Sequence, residues 1–318
     1  MTAASGPTRA GRSAGDASAE VIVVGGGPAG LSAALVLGRA CRQVLLVDDR
    51  RPRNAAARAI HGFLTRDGMA PADLRRIGRA QLRRFANVRL VEGTVTAAAP
   101  LPTGRGFVVT TAAGWSARCR ALIVATGVID DVPTIPGFAS LYGRSVFHCP
   151  FCDGWAYRDR PVAVYGRGAR GAGLALELLG WSSDVALCTD GDAALPADDA
   201  ARLRRNGIAV HTDRVRRLDE GRGGRLRAVV FEDAAPLLRD ALFFSTGQRP
   251  ASPLATALGC QITEKGAVRT AAHESTDVPG LFVVGDASRN LQWVALAAAE
   301  GAEAAFAVTQ LLVREGWR

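Results

Sequence analysis

Lysine is almost missing from this chain of 318 residues: of its 39 basic side chains only Lys265 is a lysine. The formal charge of +9 therefore rests on arginines scattered along the chain, and aromatics make up only 6%. No basic run is interleaved with stacking rings, the pattern that single-strand nucleic-acid binders need. A solvated, arginine-coated surface is the expectation, with no nucleic-acid partner. Metal-ligand spacing is also missing. A zinc site takes four ligands, usually two close pairs, and among six cysteines only Cys149 and Cys152 lie close together. No metal is expected.

No stretch approaches the roughly 18 uninterrupted apolar residues of a membrane span, so no membrane partner is expected. The first nineteen residues, MTAASGPTRAGRSAGDASA, lack the apolar centre of an export signal. They read as a disordered tail, and the protein as cytoplasmic. In a reducing compartment a close cysteine pair is catalytic or metal-binding rather than a staple. Cys41, Cys119, Cys188 and Cys260 stand alone in apolar contexts and read as buried structural thiols.

What is present is glycine and apolar sequence. The chain has 36 glycines, 48% apolar and 22% charged residues, ordinary for an α/β enzyme, and its length suits two domains. EVIVVGGGPAGLSAALVLGRA runs from a short apolar strand through Gly25, Gly27 and Gly30 into apolar residues at helical spacing. Such a turn lets a pyrophosphate approach a helix N-terminus, where free N–H groups and the helix dipole favour anions. The next strand, QVLLVDD, ends in Asp48 and Asp49, placed to accept from ribose hydroxyls.

The unit recurs. RPVAVYGRGARGAGLALELLG carries Gly166, Gly168 and Gly171, and SDVALCTDG ends near Asp190. Each unit closes with a similar strand, ALIVATG and ALFFSTG. After the second has closed, GLFVVGDA and a long Ala-rich helix follow, so the chain is expected to return to the first domain. The fold class is α/β, with two Rossmann-like three-layer domains, the second inserted in the first. Residues 20–127 and 249–318 would form the first domain, and 128–248 the second.

The motifs GGGPAGLSAAL, ATG, CPFCDG and VPGLFVVGDA, in that order and followed by the tail helix, resemble the low-molecular-weight thioredoxin reductases among the pyridine-nucleotide-disulfide oxidoreductases. The resemblance covers nearly everything after residue 19. It implies that the first domain binds FAD. Gly25, Gly27, Pro28, Ala29 and Gly30 would hold the pyrophosphate, Asp48 the adenosine ribose with Asp49 beside it, and Ala125 the adenine side. Val95, Gly127 and Gly285 would belong to the same shell. Asp286 would bond the ribityl chain, and Gln292 and Trp293 would offer backbone N–H groups to the flavin. Arg53, Asn54 and His61 would run along the cofactor, although His61 also reads as a loop histidine and Trp293 as core packing.

The resemblance further implies that Cys152 is the sulfur beside the flavin and Cys149 the one that meets a substrate thiol. Asp153 matches the family's acid after the pair and is the candidate proton shuttle. His148 either stabilises the Cys149 thiolate or faces solvent. A homodimer is expected on the same ground.

The sequence departs from the reductases where a nicotinamide cofactor would bind. In place of their arginine-rich 2′-phosphate grip stands LCTDGDAALPADDAARL, with Asp190, Asp192, Asp198 and Asp199. Like charges about 4 Å apart repel by about 4 kcal/mol at an effective dielectric of about 20. Their Glu pair is Gly173-Leu174 here, and the turn carries Arg167 and Arg170. One alternative stays open: Asp190 could accept from the 2′-OH of NADH. Ahead of the last helix, Leu291 replaces an arginine, and Trp293 follows, which suits an apolar small molecule.

These departures, with CPFC itself, resemble the gliotoxin- and holomycin-type dithiol oxidases. Many fungal members carry His where this chain has Asp153. The expectation is an FAD-dependent oxidase that closes a disulfide in a small-molecule dithiol, with O2 as acceptor and H2O2 as product. The alternatives are an NAD(P)H-dependent thioredoxin reductase and a non-catalytic flavin-binding redox sensor.

Overall fold

Val21–Val24 is an uninterrupted apolar run whose side chains are all buried, as a strand covered on both faces must be. In the computed structural model, which describes residues 17–316, this run is the centre of a five-stranded parallel sheet. The spatial order is 281–283, 121–124, 21–24, 44–48, 88–92. Val21 and Val23 point into a core shared with the helices Pro28–Arg39 and Val294–Arg314. Ile22 and Val24 point the other way, against Phe107, Val109 and Ala117 of an antiparallel meander. Helices, parallel sheet and meander make three layers.

The second unit repeats this plan. Its parallel sheet runs 146–147, 241–245, 162–166, 185–188, 209–211. The helix Gly168–Leu178 lies on one face, and strands 215–220, 226–231 and 237–238 form the second meander. The edge strands differ in origin. Strand 281–283 comes from the end of the chain, whereas 146–147 precedes its own unit and leads directly into the cysteine pair.

The chain passes between the units twice, at Val128–Asp130 and Gln248–Pro250, and these segments pair antiparallel, with Asp130 opposite Gln248. Exit and return thus lie side by side.

The tail expectation divides. Residues 1–16 lie outside the described residues, but Ala17–Ser18, placed in the tail, pairs with Ala117–Arg118 as a short edge strand. Cys41 also departs from expectation. It is exposed, in a left-handed turn with φ of 59° just after the helix Pro28–Arg39, where the chain reverses and this side chain is left facing solvent. Cys119, Cys188 and Cys260 are buried as expected. The helix Val294–Arg314 is long and apolar enough to cross a membrane by length and composition. It packs instead on Pro28–Arg39, and Ala304, Ala305, Val308 and Leu312 are fully buried.

Candidate active site

The first turn is shaped for a close-approaching anion. A Cβ on Gly30 would fall 1.8 Å from the Gly25 oxygen, and Gly25 itself has φ of +106°, so strand and helix approach only through glycine. A Cβ on Gly27 would meet nothing within 4 Å, which leaves room over the turn. Gly27 begins the helix without a side-chain cap, and Pro28 occupies its first turn. The N–H groups of that turn therefore stay available to a ligand. This cradle fits a dinucleotide pyrophosphate.

Asp48 is turned beneath the cradle. Its carboxylate accepts from the Gly26 N–H at 3.0 Å and the Arg50 N–H at 3.2 Å, and pairs with Arg79. Asp49, more open, pairs with Arg51 at 3.1 Å. Val95 is buried in the core, and Ala125 lies against the Gly25 backbone. The Gly127 carbonyl accepts from Ala251 at 3.0 Å. Gly285 donates its N–H to the buried Glu300 at 2.7 Å, which presents Asp286 at the turn. Burial lifts the Glu300 pKa to about 7, although the Gly285 N–H and Arg289 oppose it.

Arg53 ties this region to the second unit. It donates to Asp130 through Nε at 2.9 Å and Nη2 at 2.5 Å, and through Nη1 to Asp286 at 2.9 Å and Gln292 at 2.6 Å. Nη2 also reaches Gln248 at 3.2 Å, so one guanidinium holds both crossing segments. Burial alone would lower the Arg53 pKa, but Asp130 and Asp286 outweigh it and drive it upward. Asn54, next in line, accepts from Arg75 at 3.0 Å.

Cys149 and Cys152 form a disulfide with Cα atoms 5.3 Å apart. The one-turn helix Pro150–Asp153 begins at Cys149, whose Sγ accepts the Cys152 N–H at 3.2 Å. Pro150, which has no N–H to satisfy, suits its first position. Asp153 closes the turn, and burial raises its pKa to about 6 against the opposing charge of His61 on the facing unit. His61 itself lies in an exposed loop, 3.5 Å from Asp67.

His148 does not simply face solvent. Its Nδ1 lies 3.0 Å from the Tyr142 hydroxyl, which donates to Asp130 at 3.0 Å. Burial lowers the His148 pKa, with Asp130 acting the other way. Sequence reasoning missed Asp130, Tyr142 and Trp181, which carry no motif spacing. Trp181 packs on Gly154 and meets the edge of Phe151 at 5.1 Å between ring centroids. Trp293 is not simple core packing, because its ring lies 5.7 Å from that of Phe151 across the two units. Phe151, Trp155 and Leu291 are each half exposed or more. Two tryptophan rings thus meet Phe151, which lies within the turn that holds the disulfide.

The second glycine turn is occupied by the chain's own groups. Asp190 accepts from the Tyr165 hydroxyl at 2.9 Å and the Val215 N–H at 2.8 Å, and Arg167 and Arg214 flank it at 3.7 and 3.8 Å. Arg167 also donates to the Thr189 carbonyl at 2.6 Å. Asp198 and Asp199 lie in the first turn of the helix Ala197–Arg205, where they complement its dipole. Among the described residues no cluster of three or more His, Cys, Asp or Glu could hold a metal ion.

Three comparisons bear on this arrangement. The chain is 32% identical over 303 residues to the thioredoxin reductase tcpT of Claviceps purpurea, covering 92% of this chain and 94% of that one. The crystal structure of HlmI superposes with a TM-score of 0.89 at 36% identity, over 94% of each chain. The putative thioredoxin reductase TrxB of Bacillus anthracis superposes with a TM-score of 0.87 at 30% identity, over 94% of this chain and 100% of that one. The model of the pyridine nucleotide-disulphide oxidoreductases matches residues 19–301, and the chain belongs to that family, as a thioredoxin-reductase-like member acting on sulfur groups.

Proposed function

We propose that this flavin disulfide oxidoreductase works as a dithiol oxidase, closing an intramolecular disulfide in an apolar small molecule without a nicotinamide cofactor. The observation that carries this reading is the contrast between two glycine turns. Both helices start without a side-chain cap, but the first turn leaves room over Gly27, whereas at the second the Gly168 N–H is already given to the Ala193 carbonyl at 2.8 Å and Arg167 is bonded across to the Thr189 carbonyl at 2.6 Å.

FAD is the cofactor, and the residues present fit it: Gly25, Gly27, Pro28, Ala29 and Gly30 at the pyrophosphate, Asp48 and Asp49 toward the ribose, and Asp286, Gln292 and Trp293 toward the ribityl chain and ring. When bound, it supplies a two-electron carrier that O2 reoxidises, with hydrogen peroxide as product.

The chain's own residues do the sulfur chemistry. One substrate thiolate attacks Sγ of Cys149, which breaks the Cys149–Cys152 bond and leaves a mixed disulfide and a Cys152 thiolate. The second substrate thiolate attacks the substrate sulfur of that bond, so the product leaves as a disulfide and Cys149 as a thiolate. Two electrons have passed from substrate to the cysteine pair. Asp153, with its pKa raised to about 6 by burial, can hold and release a proton beside Cys152 near neutrality. Phe151 and Trp293, whose rings lie 5.7 Å apart, give the substrate an apolar wall. The chain is proposed to act as a homodimer in the cytoplasm; Phe306 and Val313, both more than half exposed on the last helix, suit burial against a second copy.

The named relative tcpT is called a thioredoxin reductase, which keeps reduction of a protein disulfide by NADPH or NADH as the competing reading. Anaerobic mixing separates the two. A small dithiol should bleach the flavin absorbance of the loaded protein, and air should restore it with stoichiometric peroxide. Rapid bleaching by NADPH or NADH, followed by reduction of thioredoxin, would overturn the oxidase reading.

A further inference from the structure

The ring of His148 is held by a chain of groups that fixes which of its nitrogens carries a proton. Asp130 starts that chain. Burial alone would raise its pKa, but the two bonds from Arg53, with His148 and Tyr142 nearby, outweigh burial and keep the carboxyl ionised. An ionised carboxylate only accepts hydrogen bonds. The single proton of the Tyr142 hydroxyl, 3.0 Å away, must therefore point to Asp130. The lone pairs of that same oxygen then face Nδ1 of His148, also at 3.0 Å, and Nδ1 must carry the hydrogen. Among the described residues Nε2 has no hydrogen-bond partner, and about a third of the side chain is exposed, at 35%.

Resting on the oxidase reading, we infer that His148 Nε2 is the base that takes the proton from the incoming substrate thiol, and that Tyr142 and Asp130 are positioning residues that keep this nitrogen bare. In a free histidine side chain the Nε2–H tautomer predominates, so without Tyr142 the wrong nitrogen would be protonated most of the time. His148 immediately precedes Cys149, the sulfur attacked. As the substrate S–H gives its proton to Nε2, the resulting thiolate forms a bond to Cys149 Sγ and the Cys149–Cys152 bond breaks. Nε2 releases that proton to solvent through its exposed edge and takes the proton of the second substrate thiol, whose thiolate expels Cys149 as a thiolate; the second proton leaves by the same route. No net charge accumulates on the ring over the cycle.

The charged groups acting on His148 are Asp130, Arg53 and Asp286, with Tyr142 beside it and the apolar ring of Phe244 at 6.2 Å between centroids. Asp130 and Asp286 favour the imidazolium and Arg53 opposes it. Because Nδ1 keeps its proton in both states, only Nε2 titrates.

Two measurements on the full chain with FAD bound test this. The chain has four histidines, so ring nitrogens labelled with ¹⁵N can be assigned by comparison with His148→Gln. At pH 8 the wild-type His148 should show a protonated Nδ1 and a bare Nε2, and Tyr142→Phe should revert it to the Nε2–H form. In parallel, flavin bleaching by dithiothreitol should slow about 10-fold or more in His148→Gln, with loss of the acidic limb of its pH profile. Tyr142→Phe should slow it roughly 5-fold while retaining FAD. A wild-type Nε2–H tautomer, or an unchanged pH profile in His148→Gln, overturns the inference. If wild type is not bleached by dithiothreitol at all, the oxidase reading fails, whereas the tautomer measurement still stands or falls by itself.

Discussion

Arg53 and Asp130 form a two-pronged ion pair, at 2.9 and 2.5 Å, between the loop beside the first glycine turn and the first segment crossing to the second unit. Both side chains are largely buried, with 13% and 7% exposed. Removing one partner of a buried pair strands the other charge, at a cost of about 3–5 kcal/mol. Arg53→Ala is therefore expected to lower the unfolding free energy by that order, read as a lower denaturant midpoint at unchanged slope. Arg53→Lys should recover only part, since an ammonium cannot span two carboxylates and two amides in one plane. Urea unfolding of the three proteins measures this.

Asp153 makes a pH-dependent contribution of the unusual sign. Its folded pKa, about 6, lies above the ordinary aspartate value near 3.9. Between about pH 4 and 6 the folded chain holds a proton that the unfolded chain has released, so stability falls as pH rises through that window. The total loss above it is about 2–3 kcal/mol. Asp153→Asn should flatten this limb of the stability curve. A slope that survives the substitution would assign it to another group.

The bond from the Cys152 N–H to Cys149 Sγ at 3.2 Å would favour a thiolate once the disulfide is opened. In Cys152→Ser the backbone N–H remains. Ultraviolet titration of Cys149 in that variant is expected to give a pKa below the free-thiol value of about 8.5. Dithiol turnover should be abolished in both Cys149→Ser and Cys152→Ser.

Phe151 bridges Trp181 and Trp293, at 5.1 and 5.7 Å between centroids, beside the disulfide. Truncating one such ring costs about 1–1.5 kcal/mol of apolar contact, or roughly a 5–12-fold rise in KM. Phe151→Ala should show this rise for an aryl-substituted dithiol and little of it for dithiothreitol, with kcat changed less. Equal effects on both substrates would remove Phe151 from the apolar wall.

Gly301 sits where the last helix crosses the first, and a Cβ there would fall 2.0 Å from the Ala29 carbonyl oxygen. Backbone cannot yield as a side-chain tip can. Gly301→Ala should cost about 1–3 kcal/mol by overpacking and, with Ala29 in the turn proposed to hold the cofactor, should lower the FAD content of the purified protein. Thermal unfolding and flavin-to-protein absorbance ratios check both parts.

The elements that were legible in the sequence are those whose signal is local. Val21–Val24, the glycines that follow and the helix after them are contiguous, and a turn that only glycine can make leaves its mark within six residues. The cysteine pair is likewise contained in one turn of helix. Arg53, Asp130, Tyr142 and His148 have no such mark, since their partnership exists only once the crossing segments pair and bring distant stretches together. Asp190 was visible as an acid after a strand, but whether it is free for a ligand depends on Tyr165 and Val215. Cys41 looked buried by its neighbours and is exposed because the chain reverses there.

The sequence by itself determined the two α/β units, the family and the close cysteine pair, because strand runs, glycine turns and a Cys-x-x-Cys helix are set by backbone sterics over a few residues. Only the tertiary structure decided the state of the second glycine turn, the orientation of His148 and the ring contacts of Phe151. Those depend on which side chains the packing of two units places within hydrogen-bond or ring-contact distance, a property of distances that no local pattern encodes.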